Sequence, residues 1–186
     1  MKHFNSHSFF DNQAGFTLIE MLVVAAIIAF MSTALIENFS RTRIDLLQST
    51  NLVTAAIRSA QSSAISSTQY GGYNPCGYGF HYIDPTHFAV YVGPDSATTD
   101  CTAINRNYQP GEDSLLANQV FQDSRVQFIA PFDDIYFEPP DPKTYLNNNA
   151  TLNQAPITIS IGQIGTTCPA NCKTIYVYPS GNVETQ

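Results

Sequence analysis

The chain has 186 residues, enough for one modest globular domain of roughly 100–150 residues plus an appendage. Its 8 Lys and Arg against 15 Asp and Glu give a net charge of −7, which argues against general nucleic-acid binding, because that needs cations to neutralise phosphates. Charged residues are sparse, and Ser, Thr, Asn, Gln, Gly and Tyr supply the polar surface, as is common among secreted proteins.

Residues 1–15 are polar and end in Gln13-Ala14-Gly15. Residues 16–36 then run Phe-Thr-Leu-Ile-Glu-Met-Leu-Val-Val-Ala-Ala-Ile-Ile-Ala-Phe-Met-Ser-Thr-Ala-Leu-Ile, with no Pro or Gly. As a helix this segment spans about 31 Å, close to the roughly 30 Å hydrocarbon thickness of a bilayer. Glu20 is out of place in it, since a carboxylate at membrane depth costs about 2.5–3.5 kcal/mol and demands a partner or a purpose. A secretory signal cleaved near Ser32-Thr33-Ala34 fits poorly: Lys2 is the one basic residue ahead of the run, the run is long, and Glu20 interrupts it. A plain transmembrane anchor leaves Glu20 and the polar stretch ending at Gly15 without a reason.

Helical patterning continues past the apolar run. Phe39, Arg43, Leu46, Leu47, Val53, Ile57, Ala60, Ala64 and Ile65 recur mostly at three- or four-residue intervals, and neither Pro nor Gly appears until Gly71-Gly72, which reads as the stop. The reading is one helix of about 50 residues, some 75–80 Å long; two helices broken between Glu37 and Arg43 are the alternative. The expected parts are a leader at 1–15, an apolar helix at 16–36, its amphipathic continuation at 37–70 and a head at 71–186.

Beyond Gly72 the period changes. Residues 78–83 and 87–92 flank the turn Asp84-Pro85-Thr86, with Phe88, Val90 and Val92 alternating against Ala89 and Tyr91 as in a half-buried strand. Residues 126–130 and 134–138 read as a second strand pair around Pro131. Ile157, Ile159 and Ile161 alternate with Thr158 and Ser160; residues 174–178 form a further strand, followed by the turn Pro179-Ser180-Gly181-Asn182 and Val183. Residues 93–119 and 138–156 read as loops. The predicted fold is α+β: a long N-terminal helix packed through its amphipathic half on a mainly antiparallel β-sheet head.

Four cysteines, Cys76, Cys101, Cys168 and Cys172, all follow the apolar run. If that part of the chain is exported, the even count points to two disulfides, with three pairings open. One of them closes the small loop Cys168-Pro-Ala-Asn-Cys172 and leaves Cys76 with Cys101. A four-cysteine metal site lacks the usual Cys-x-x-Cys spacing.

The segment Gly15-Phe16-Thr17-Leu18-Ile19-Glu20-Met21-Leu22-Val23-Val24 resembles the class III signal of type IV pilins and type II secretion pseudopilins. Ala56-Ile57-Arg58-Ser59-Ala60-Gln61-Ser62-Ser63-Ala64-Ile65 and Tyr176-Val177-Tyr178-Pro179-Ser180-Gly181-Asn182-Val183 are similar to the helix end and closing strand of GspH/FimT-type minor pilins. That resemblance implies cleavage between Gly15 and Phe16 by a prepilin peptidase, N-methylation of Phe16, and pairing of Glu20 with the terminal amine of a neighbouring subunit. The family often carries Lys or Arg before the glycine; here Gln13 and Ala14 stand there. The implied partners are other pilin or pseudopilin subunits, the peptidase/methyltransferase, an inner-membrane assembly platform and lipid. The implied location is the inner membrane, single-pass with the head outside the cytoplasm, and then an extracellular or periplasmic filament. A second implied role is a tip subunit whose head, with its Tyr70-Gly71-Gly72-Tyr73 stretch, recognises a surface, DNA or an exported protein.

No enzymatic motif is present: no nucleophile elbow, phosphate loop or His-Glu-x-x-His. His81 and His87 read as hydrogen-bonded strand residues, and His3 and His7 lie in the leader. Asp133, Asp134, Glu138 and Asp141 do not have EF-hand spacing and read as solvated loop carboxylates, so neither a metal nor a cofactor is expected. Some of the similar minor pilins bind DNA through C-terminal basic residues. Here residues 179–186 contain none, and Lys173 is the nearest, so DNA binding by the head is not expected.

Overall fold

The computed structural model describes residues 17–94, 100–139, 143–169 and 171–186, excepting the side chains of 34–43. Two compact units divide the chain, Met1–Arg41 and Thr42–Gln186. Helix α1 (Leu18–Ile65) supplies residues to both.

In the second unit α1 presents one apolar stripe. Val53, Ala56, Ile57, Ala60 and Ala64, at helical spacing, are buried in the core. The helix stops earlier than the glycines suggest. Ser67 takes a left-handed conformation (φ 47°), the Ser67 amide donates to Ala64 O, and the Thr68 amide donates to Ser63 O. This is a Schellman cap with serine where glycine is usual. Gly71 and Gly72 (φ 59° and 88°) instead form a two-residue turn in which Tyr70 and Tyr73 exchange backbone hydrogen bonds of 2.9 and 3.1 Å.

Nine strands follow: β1 (Gly77–Tyr82), β2 (His87–Gly93), β3 (Ser114–Val120), β4 (Val126–Phe128), β5 (Ile135–Glu138), β6 (Lys143–Leu146), β7 (Ile157–Gln163), β8 (Cys172–Val177) and β9 (Val183–Thr185). They form two antiparallel sheets, ordered β3-β2-β1-β5-β6 and β4-β7-β8-β9. The α+β architecture is as the sequence predicts. Three details differ. Strands β3 and β6 lie within segments that read as loops. The stretches around Pro131 do not pair with each other: β4 joins β7, and β5 lies between β1 and β6.

The main core lies between the sheets and the helix stripe. Phe80, Phe88, Val90, Val92, Ile135, Phe137 and Leu146 come from one sheet; Phe128, Ile157, Ile159, Ile161, Ile175 and Val177 come from the other. A ring cluster fills its centre, with Phe121 and Phe128 at 4.8 Å and Phe80 stacked on Phe132 at 5.6 Å. The Asp84-Pro85-Thr86 turn is fixed by Asp84 Oδ1, which accepts from the Thr86 and His87 amides at 2.7 and 2.8 Å; these bonds hold the Asp84 carboxyl down to about 2.

Candidate assembly site

Helix α1 begins on a local signal. Thr17 precedes it, and the Glu20 amide donates to Thr17 Oγ1 at 3.3 Å and to Thr17 O at 3.0 Å. Thr17 is therefore the N-cap, and Glu20 stands at the third helical position, where a carboxylate is favoured by the unpaired amides and the helix dipole. The spacing Thr-x-x-Glu is legible in the sequence as a capping box, a role for Glu20 additional to the pairing that the resemblance implies.

All described residues from 17 to 33 are exposed. Leu18, Ile19, Phe30 and Met31 are 62–79 % exposed, and Val23, Val24, Ile27 and Ile28 face outward as well. An apolar surface of this extent, with no polar side to it, marks contact with lipid or another protein. The hydroxyls inside the run are satisfied by the helix itself: Ser32 Oγ donates to Ile28 O at 2.7 Å and Thr33 Oγ1 to Phe30 O at 2.8 Å. Such back-bonding suits a surrounding without water. Among the described residues no helix is long and apolar enough to cross a membrane. The segment predicted to do so, 16–36, extends past them: Gly15 and Phe16 lie outside the described residues, as do the side chains of 34–36.

The head carries a second polar-aromatic cluster, on the opposite face of the five-stranded sheet from the main core. Tyr91, Tyr136 and Tyr145 are buried there beneath the segment 100–113, with Ile104 and Tyr108 packed against them. Tyr91 fills the space above Gly79, where a β-carbon would collide with its ring. Tyr91 Oη donates to Arg106 O at 2.6 Å, and Tyr136 Oη donates to Gly93 O at 2.6 Å. Burial raises both phenols' pKa well above the usual tyrosine range. Arg106 lies 4.1 Å above the Tyr145 ring, pairs with Glu138 at 3.1 Å, and donates to the carbonyls of Ile104 and Cys101. Asp134 bridges the sheet and this segment, accepting from His81 Nδ1 and from the Tyr108 amide, both at 2.7 Å.

Predicted candidates thus find structural partners. Cys76 is bonded to Cys101 and Cys168 to Cys172, with Cα–Cα 5.3 Å in both. The former tethers the covering segment to the start of β1. Asp134 and Glu138, expected as solvated loop carboxylates, are instead largely buried, because they pair with His81, the Tyr108 amide and Arg106, and Glu138 stands on β5; Asp133 is exposed as expected, and Asp141 lies outside the described residues. Among the described residues no group of three or more His, Cys, Asp or Glu is placed to hold a metal ion. The Arg106–Tyr145 contact has no signal in the sequence, since only folding brings the two together.

Asp113 closes this segment and gives a pH prediction. Burial pushes its carboxyl up to about 6, with Glu112 and Asp134 adding to the rise and the Gln109 amide opposing it. A carboxyl raised in the fold favours folding while it stays protonated. Its contribution is full below the ordinary value of 3.8 and is lost as pH rises through about 6. Asp113→Asn is expected to flatten the pH dependence of the melting temperature across that window. At pH 7 it should stabilise the head by about 1 kcal/mol, a figure reduced for the group's half exposure. Thermal melts of both proteins from pH 4 to 7 check this, and parallel curves would refute it.

Comparison with known proteins adds the following. Residues 10–36 match the sequence profile described as the prokaryotic N-terminal methylation motif. No match was found among curated proteins. Among solved structures, the chain is similar to the type IV minor pilin FimU of Pseudomonas aeruginosa (strain PAO1), at 12% identity and a TM-score of 0.48, over 77% of this chain and 90% of that one.

Proposed function

We propose that this chain, which matches the prokaryotic N-terminal methylation motif over residues 10–36, is a pilin-like filament subunit of the minor-pilin kind that assembles through its N-terminal helix. The observation carrying this reading is the helix from residue 18 to 33, exposed all round and apolar apart from Glu20, Ser32 and Thr33, capped by Thr17 and bearing Glu20 in its first turn, five residues after Gly15. In this reading residues 1–15 are a leader. Prepilin peptidase cuts between Gly15 and Phe16, and Phe16 becomes the methylated terminus. Residues 16–36 hold the subunit in the inner membrane until the filament forms, and packing of these helices, with Glu20 facing a neighbour's terminal amine, drives assembly. The amphipathic continuation and the head at 71–186 stand outside the cytoplasm. The head's disulfides suit that oxidising location. The proposed role is structural, without a catalysed reaction.

Mass spectrometry of the protein extracted from membranes tests the proposal. The expected product starts at Phe16 and carries one methyl group, and a Gly15→Val variant retains the full leader. A native product trimmed beyond Ala34, or one with residues 1–15 still attached, would sink it.

A further inference from the structure

Strand β3 (Ser114–Val120) forms one edge of the five-stranded sheet, with β2 as its sheet neighbour. Among the described residues, no backbone hydrogen bond reaches the far side of 115–120. The other sheet edges are guarded in the usual ways. β6 carries Lys143, β9 carries Glu184, and β4 is 3 residues long and follows Arg125. β3 runs 7 residues without a charge or a proline.

Its side chains are arranged for a partner of a particular kind. Leu116, Asn118 and Val120 are exposed, while Ala117 and Gln119 are half-buried, so the first three share the outward face. Leu116 and Val120 are 40 % and 50 % exposed. The register shift opposite Val90 and Tyr91 falls at the start of this stretch and leaves 117–120 in regular register with β2. A row of outward N–H and C=O groups is matched best by another extended backbone. Antiparallel twofold pairing sets every charge on an edge close to its own copy, which disfavours the edges bearing Lys143 or Glu184 and leaves β3 free of that cost. About a dyad at Asn118, Leu116 stands opposite the partner's Val120, Val120 opposite the partner's Leu116, and the two Asn118 amides face each other.

We propose that β3 is a self-association edge, through which two copies of this chain pair their heads antiparallel about Asn118 into one continuous sheet. This contact belongs to the head and is additional to helix-driven filament assembly.

The test uses the full chain in detergent micelles, with Asn118→Cys oxidised by copper–phenanthroline. Residues directly opposite in an antiparallel pair lie close enough for a disulfide. Covalent dimer is expected with N118C at about tenfold the level seen with Thr158→Cys on the other sheet, and adding L116K and V120K, which set lysines opposite lysines, should return it to the T158C level. Equal dimer from N118C and T158C would overturn the proposal. So would dimer that persists in the lysine variant, which would trace association to α1. Crosslinking of N118C in cell envelopes to a different polypeptide and never to itself would also overturn it, assigning the edge to another subunit. Circular dichroism of the lysine variant, expected to match the parent, keeps loss of folding from passing as loss of pairing.

Discussion

Glu20→Ala is expected to be processed and methylated normally and yet to enter filaments on the order of a hundredfold less than the parent. On the proposed cleavage between Gly15 and Phe16, the new terminus carries a protonated amine, and Glu20 is the carboxylate four residues further along the chain. Where neighbouring helices pack in the absence of water, removing one partner of a buried charge pair costs about 3–5 kcal/mol, because the other is left uncompensated; 3 kcal/mol is more than a hundredfold in association. The cap complicates a simple reading of the alanine variant. Glu20 at the third position of α1 also supports the helix start that Thr17 caps, and alanine removes both roles. Glu20→Gln separates them. Glutamine serves a capping box as glutamate does but carries no charge, so it should fail nearly as badly as alanine. Thr17→Ala, which weakens the cap by about 1 kcal/mol, should assemble close to normally. The measurement is the ratio of sheared filament to membrane-retained subunit, read by quantitative immunoblot. Filaments from Glu20→Gln at the parental level would remove charge pairing from the mechanism and leave helix capping in its place.

How far the sequence could be read depends on whether a feature is written locally. The N-terminal helix is: Thr17, Glu20 and the apolar run carry their meaning within one stretch of chain, so the helix was legible there apart from its cap. Strands β1, β2, β7 and β8 were also legible. Phe88, Val90 and Val92 on one strand, and Ile157, Ile159 and Ile161 on another, alternate toward the core. β3 escaped because an edge strand with a register shift has no buried face to enforce alternation. β6 escaped for the opposite reason. Its Leu146 enters the main core while Tyr145 enters the tyrosine cluster on the other face, so both faces are buried and the pattern vanishes. The helix end was misplaced because Ser67 adopts the conformation usually left to glycine, and Gly71-Gly72 serve a turn instead. The cover over Tyr91 and Tyr136 was illegible in principle. Tyr91 reaches Arg106 across 15 residues of chain, and Tyr136 reaches Gly93 across 43.

That cover yields the second large effect. Cys76→Ser with Cys101→Ser is expected to destabilise the head by about 3 kcal/mol and to lower its melting temperature by roughly 5–12 °C. The bond closes a loop with a sequence separation of 25, so its loss frees the unfolded chain considerably. The folded state suffers as well. Cys101 O accepts from Arg106, whose own carbonyl receives the Tyr91 hydroxyl and whose guanidinium covers Tyr145. With the tether gone, the segment 100–113 is held by Arg106–Glu138, by Asp134 and by ring packing, and each opening exposes the tyrosine cluster to water. Limited proteolysis should therefore cut first within 100–113 in this variant. Cys168→Ser with Cys172→Ser offers the contrast: that bond spans a separation of 4 on an exposed turn, and its loss should cost clearly less. Equal melting temperatures for the parent and the Cys76/Cys101 variant, together with unchanged protease resistance at 100–113, would show that the polar and aromatic contacts alone secure the cover.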